Sequence, residues 1–283
     1  MPAPPHGRRL GRAGGPDTMP FTPRTPRVVA ARRLQRRRDR EAAGRFLAEG
    51  PQAVREALAR PDLVTELFGT PTALDRHAEL AATAARADVP VSEVTDEALA
   101  ALTETVAPQG VVAVCRHLDV SLERALAGRP RLVAVLAEIR DPGNAGTVLR
   151  TADAAGAGAV VFAGDAVDPY NGKCVRASAG SLFHVDVVRA ADPAEVVTAL
   201  RAAGLTVLAT TGYGDSDLDD LADSGRLAAP TAWLFGSEAH GLPDELTAAA
   251  DARVRVPLHG RAESLNLAAA AAVCLYASAR AQR

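Results

Sequence analysis

Aromatic residues make up only 4% of this 283-residue chain, with a single tryptophan. Its cores must therefore be assembled from leucine, valine and closely packed alanine rather than from large rings. Cysteine is scarcer still. Cys115, Cys174 and Cys274 lie far apart, which excludes a paired disulfide framework and the close ligand spacing of a structural metal site. A nucleophilic Cys174 has no neighbouring histidine or helix start to activate it, so all three read as buried, reduced thiols. No hydrophobic run approaches a membrane span: the longest candidate, Leu267 to Ala277, is short and mostly alanine. The apolar segment of a signal peptide is missing too, and the expectation is a soluble, cytoplasmic protein that holds no metal. A dinucleotide fingerprint is also lacking. "GAGAVVFAG", from Gly156, has its glycines after a helix and before a strand, the reverse of what nucleotide binding needs, which disfavours a nicotinamide enzyme.

What is present is unevenly distributed. The formal charge is −2, yet residues 1–40 hold eleven arginines against Asp17 and Asp39, a balance of +9. The remainder, with 21 basic and 32 acidic residues, stands at −11. A cationic end on an otherwise acidic protein favours polyanions, with counterion release as the source of affinity. The Pro- and Gly-rich residues 1–26 read as a disordered basic arm.

Patterning divides the rest into two units joined by a linker. Residues 27–117 read as a small α/β unit: a short helix, a strand around Phe46 and Leu47, a helix opened by Pro51, strand "LVTELFG", a helix from Ala73 to Arg86, "VPVSEV", a helix from Asp96 to Leu102 and strand "GVVAVC". Residues 118–130 read as the linker. Residues 131–283 alternate more regularly, with apolar strands expected at Leu132 to Glu138, Ala159 to Ala163, Thr206 to Thr210, Ala232 to Phe235 and Arg253 to Val256. Continuous apolar strands separated by helices predict a parallel sheet covered on both faces, with ligands beyond the carboxyl ends of its strands.

Three loops leave predicted strand ends with more chemistry than a connection needs: "RDPGNAGTVLRTAD", "FGSEAHGLPDEL" and "VPLHGRAESLNLAAAAAV". In the first, Asn144 is placed to cap a helix through its side-chain oxygen, and Arg150 follows six residues on. The plain alternative makes Asn144 an ordinary cap and pairs Arg150 with Asp153 at i+3. The second combines Gly236, Ser237, Glu238 and Gly241, bringing backbone amides and a carboxylate to one turn. In the third, Ser264 and Asn266 are two apart and so point to different sides of a helix start, one capping and the other facing a cleft.

In this order the three loops resemble the motifs of the SPOUT methyltransferases, in particular the TrmH-type RNA ribose 2′-O-methyltransferases. "NAGTVLRTA" is similar to the first motif, "FGSEAHGL" to the second and "VPLHGRAESLN" to the third, with His240 the one departure. The resemblance spans Arg131 to Arg283. It implies a deep trefoil knot in a parallel-sheet α/β domain, S-adenosyl-L-methionine as cofactor and a homodimer. "FLAEGPQAVREAL" resembles the ribosomal-protein-like RNA-binding domain fused to rRNA-modifying members. The implied activity is methylation of a ribose 2′-hydroxyl in RNA, large-subunit rRNA before tRNA, with a non-catalytic ribosome-binding protein as the rival from another class.

Residue by residue, the resemblance assigns Arg150 to the target ribose and its adjacent phosphate and Asn144 to ordering the site. Glu238, Ser264 and Asn266 shape the same cleft, while Gly236, Val256 and Leu265 hold the cofactor largely through main-chain groups. A guanidinium hardly deprotonates in a protein, so the role expected of Arg150 is electrostatic activation and positioning rather than proton abstraction.

Overall fold

The computed structural model describes residues 19–60 and 62–283. The first unit runs α1 (Pro26–Arg33), α2 (Arg37–Ala43), β1 (Arg45–Glu49), α3 (Pro51–Leu58), β2 (Val64–Gly69), α4 (Pro71–Arg76), α5 (Ala78–Arg86), β3 (Val91–Glu93), α6 (Asp96–Leu102) and β4 (Val111–Arg116). Its helices start where local chemistry favours it. Proline stands in the first turn of α1, α3 and α4, and the hydroxyls of Thr70 and Thr95 accept from Ala73 N and Ala98 N at the starts of α4 and α6. The four strands lie in the order β1-β4-β2-β3. The single helix expected from Ala73 to Arg86 is two, because His77 leaves the helical region at φ −116°, ψ 47°.

The expected basic arm needs correction at its end. Residues 1–18 lie outside the described residues, but Phe21 donates its N–H to Glu93 O at 2.8 Å and accepts from Thr95 N at 2.9 Å. An aromatic ring in a polar stretch has apolar surface to bury, and Phe21 buries part of its ring against the Val28, Phe68 and Val94 core. The expected linker holds a helix as well: α7 (Leu122–Ala127), capped by Ser121.

The second unit continues with β5 (Leu132–Ala137), α8 (Pro142–Ala155), β6 (Ala159–Ala163), α9 (Gly172–Ala177), β7 (Asp186–Ala190), α10 (Pro193–Ala202), β8 (Thr206–Thr210), β9 (Ser216–Asp217), α11 (Leu218–Asp223), β10 (Thr231–Phe235), α12 (Asp244–Ala249), β11 (Ala252–Arg255) and α13 (Leu267–Ala281). Its seven strands are all parallel, in the order β7-β6-β5-β10-β8-β11-β9. The five strands expected here are present. β7 and β9 were not anticipated because they are edge strands: β7 fully buries only Val187 and Val188 of its five residues, and β9 is two residues long.

Helix α13 returns to cover the middle of the sheet, packing on α8, β5 and β10. The lone Trp233, in β10, donates its buried indole N–H to Ser278 Oγ of α13 at 2.9 Å. The two units share a core. Phe46 of β1 stacks on Tyr170 with ring centroids 4.7 Å apart, and α2 is tied down by Arg40, whose guanidinium holds Asp168 at 2.6 and 2.8 Å with both side chains 3% exposed. The three cysteines are free and buried, and burial pushes each thiol up, that of Cys274 to about 12. They stay protonated and inert.

Candidate active site

The site is built where the strand order turns around. β5 and β10 are neighbours in the sheet, yet the chain leaves β5 for β6 on one side and reaches β10 only after laying β8 and β9 on the other, so the loops beyond their carboxyl ends enclose a crevice.

The first loop ends in α8. Asp141, not Asn144, is the N-cap: its Oδ1 accepts from Asn144 N at 2.7 Å, and Pro142 takes the first helical position. This corrects the expected capping role and releases the Asn144 side chain for long-range contacts. Asp141 is itself held by Lys173 Nζ at 2.8 Å. That ammonium, followed by the Asn144 amide, keeps the Asp141 carboxyl below the usual carboxylate range. Gly146 lets α8 and α9 touch, since a Cβ there would sit 2.4 Å from Cys174 O.

The second loop folds back on itself. Ser237 and Gly241 exchange backbone hydrogen bonds at 3.0 and 2.9 Å, and Gly241 adopts φ +69°. A Cβ on Gly236 would lie 2.1 Å from Gly241 C, so glycine is required there by backbone packing, which leaves Glu238 at the tip of a tight turn.

The third loop, after β11, ends where Asn266 caps α13, its Oδ1 accepting from Ala268 N at 2.9 Å and Ala269 N at 3.3 Å. Capping fixes the Asn266 amide, whose Nδ2 then donates to Asn144 Oδ1 at 3.1 Å. Asn144 in turn donates through Nδ2 to Glu238 Oε1 at 2.8 Å. One carboxamide thus joins all three loops.

The remaining expected residues sit on the rim. Ser264 and Leu265 are exposed in the third loop, and Val256 is half-buried at its start. Arg150 is exposed on α8 and makes no hydrogen bond to any of the three hub residues. Its expected bland partner is taken: Asp153 Oδ2 pairs with His184 Nδ1 at 2.8 Å, and Arg150 has no ion pair among the described residues. Lys173 and His184, both in polar contact with α8, were missed by sequence reasoning. Neither carries a signal in isolation, because their importance arises from the close packing of the segment after β6 against α8.

Comparison with known proteins places this architecture. Residues 131–276, which hold this parallel sheet and its three loops, match the SpoU rRNA Methylase family, and residues 25–113 match the MRM3-like substrate binding domain. The chain belongs to the SpoU rRNA methylase family. It is 35% identical over 246 residues, 87% of this chain and 92% of the relative, to the 23S rRNA (guanosine(2553)-2′-O)-methyltransferase RlmP of Bacillus subtilis. The AdoMet-bound rRNA methyltransferase from Sinorhizobium meliloti superposes with a TM-score of 0.77 at 32% identity, covering 90% of this chain and 94% of that one. The SpoU methyltransferase AviRb from Streptomyces viridochromogenes in complex with AdoMet gives 0.79 at 32% identity, covering 91% and 98%.

Proposed function

We propose that this protein is an S-adenosylmethionine-dependent methyltransferase acting on a ribose 2′-hydroxyl of large-subunit rRNA. The observation that carries the reading is the Glu238–Asn144–Asn266 relay, which draws three motifs together although 94 and 122 positions separate Asn144 from its partners. The relatives are named for the same chemistry on 23S rRNA.

The residues present fit the cofactor. Residues 257–265 make no hydrogen bonds among the described residues, leaving a run of main-chain donors and acceptors open beside the exposed Leu258 and Leu265. Main-chain amides with apolar side chains suit an adenine nucleoside, whose edge needs hydrogen bonds and whose faces need apolar cover. Gly236, Val256 and Leu265 would hold it. When bound, S-adenosylmethionine supplies an electrophilic methyl on a sulfonium sulfur.

The chain's own residues do the rest. Both polar atoms of the Asn144 amide are engaged, so Asn144 and Asn266 order the loops rather than contact RNA. Glu238 Oε1 is spent on Asn144, while Oε2 makes no hydrogen bond among the described residues and can accept from a substrate hydroxyl. Arg150 offers its fork to the phosphate beside the target ribose, which positions the 2′-oxygen, and a phosphate oxygen takes the proton. Ser264 borders the same space.

Assembly follows from α13. Its outward side carries Ala269, Val273, Tyr276 and Arg280 at helical spacing, with Val273 43% and Tyr276 49% exposed. A second copy covers this stripe in a homodimer. The trefoil knot belongs to the same reading, with the C-terminal segment that ends in α13 as its threaded part. The protein works in the cytoplasm, where rRNA is.

The deciding experiment incubates the purified chain with methyl-labelled S-adenosylmethionine and either transcribed 23S rRNA or tRNA, then maps label to ribose or base. Ribose label in 23S rRNA is expected; label confined to tRNA or to bases, or none at all, rejects the reading.

A further inference from the structure

His184 lies outside the three loops, in the turn between a 3-10 helix (Ser181–Phe183) and β7, and bridges two carboxylates from different parts of the molecule. Its Nδ1 is 2.8 Å from Asp153 Oδ2, in the last turn of α8, and its Nε2 is 3.1 Å from Glu56 Oε2 of α3. The contact is built rather than casual. Gly180, at φ +99°, admits Glu56 so closely that a Cβ there would lie 2.7 Å from Glu56 Cγ, and Arg60 of the same segment donates to Phe183 O at 2.7 Å. Two acceptors facing both ring nitrogens call for the imidazolium, and hydrogen bonds to Asp153 and then Glu56 push the His184 pKa up.

Asp153 has an alternative cation. Arg150 precedes it by three residues on the same helix, the spacing at which side chains of opposite charge pair. The negative end of α8, with no basic residue in its last turn, disfavours an unpartnered carboxylate there and makes that pairing more attractive. We propose that His184 is a positioning residue for methyl transfer: by holding Asp153 against α3, it keeps the carboxylate off Arg150 and leaves the guanidinium free for substrate phosphate. The proposal rests on the role given to Arg150 above.

The test is a double-mutant comparison of initial rates on transcribed 23S rRNA at low ionic strength. An exposed ion pair is weak, so His184→Ala should raise KM for RNA by about three- to fivefold with kcat little changed. Adding Asp153→Asn removes the competing carboxylate, and H184A/D153N should return to the wild-type KM. His184→Arg keeps a cation between the carboxylates and should behave as wild type, a readout that does not depend on how H184A folds. An unchanged KM in H184A, no recovery in the double variant, or an H184R enzyme as impaired as H184A would each overturn the proposal. Failure of the methyltransferase reading looks different, since wild type itself would then show no turnover.

Discussion

Asn144 Nδ2 donates to Glu238 Oε1 at 2.8 Å, and that bond has a direction: the amide supplies the proton and the carboxylate receives it. Asn144→Asp preserves shape but removes the donor, setting two carboxylates face to face. The loop bearing Glu238 should swing away. A loss of about tenfold to a hundredfold in kcat is expected, with the melting temperature nearly unchanged because the pair is exposed. Methyl incorporation at saturating RNA measures it, and an N144D enzyme at full rate would remove Asn144 as the organiser of the site.

Arg150 makes no ion pair among the described residues and covers no core. Arg150→Ala should therefore nearly abolish methyl transfer while leaving cofactor affinity and unfolding transition close to wild type. Arg150→Lys should also be poor, since a point charge does not reproduce the guanidinium fork. Calorimetric titration of S-adenosylmethionine beside the rate assay separates the two properties, and retained turnover in R150A would end its proposed role.

The corner of α1 and α2 exposes Arg32, Arg33, Arg36, Arg37 and Arg38, none with an ion pair among the described residues, while Arg40 turns inward to Asp168. The inward residue fixes where the outward ones stand. Replacing Arg36, Arg37 and Arg38 with alanine should weaken RNA binding and flatten the slope of log K against log salt by about 2, without altering cofactor affinity. Filter binding across a salt series reads the slope; an unchanged slope would place the RNA elsewhere.

Five of the seven strands of the parallel sheet and the hub residues were legible in the sequence because continuous apolar runs and polar loop residues at strand ends are local patterns. Asn144, Glu238 and Asn266 stood out, but the cap of α8 did not: Asp141 precedes a proline and takes that role from Asn144, a choice made by backbone geometry. The docking of the two units was hidden as well. It depends on Arg40 with Asp168 and Phe46 with Tyr170, pairs separated by more than a hundred residues and each ordinary in isolation. Phe21 shows the same limit from the other side, where composition implied disorder up to residue 26 and one partly buried ring fixes the chain at residue 21.

His184 makes stability depend on pH with a definite sign. Its folded-state pKa is raised above the unfolded value, so its contribution is full below the unfolded pKa and is lost as pH rises through the folded one. His117 acts oppositely, since burial and then Arg189 lower its pKa. Comparing wild type with His184→Ala cancels that background. The difference in melting temperature should be largest in mildly acidic buffer and shrink as the imidazole loses its proton; a difference constant across that range would show that His184 is not charged.

Helix α13 offers the sharpest test of assembly because its two faces predict different failures. Ala271 is fully buried against the subunit's own core, whereas Val273 and Tyr276 stand exposed on the opposite stripe. Ala271→Glu would bury an unpaired carboxylate at a cost of roughly several kcal/mol, enough to unfold the domain whatever its oligomeric state. Tyr276→Glu leaves the fold alone and places charge where a second copy would pack. Light scattering across a dilution series should show wild type as a dimer at micromolar concentration and Y276E as a folded monomer with the wild-type unfolding transition. If wild type is monomeric there and still methylates RNA at full rate, this stripe is not a subunit interface, and the site is complete within one chain.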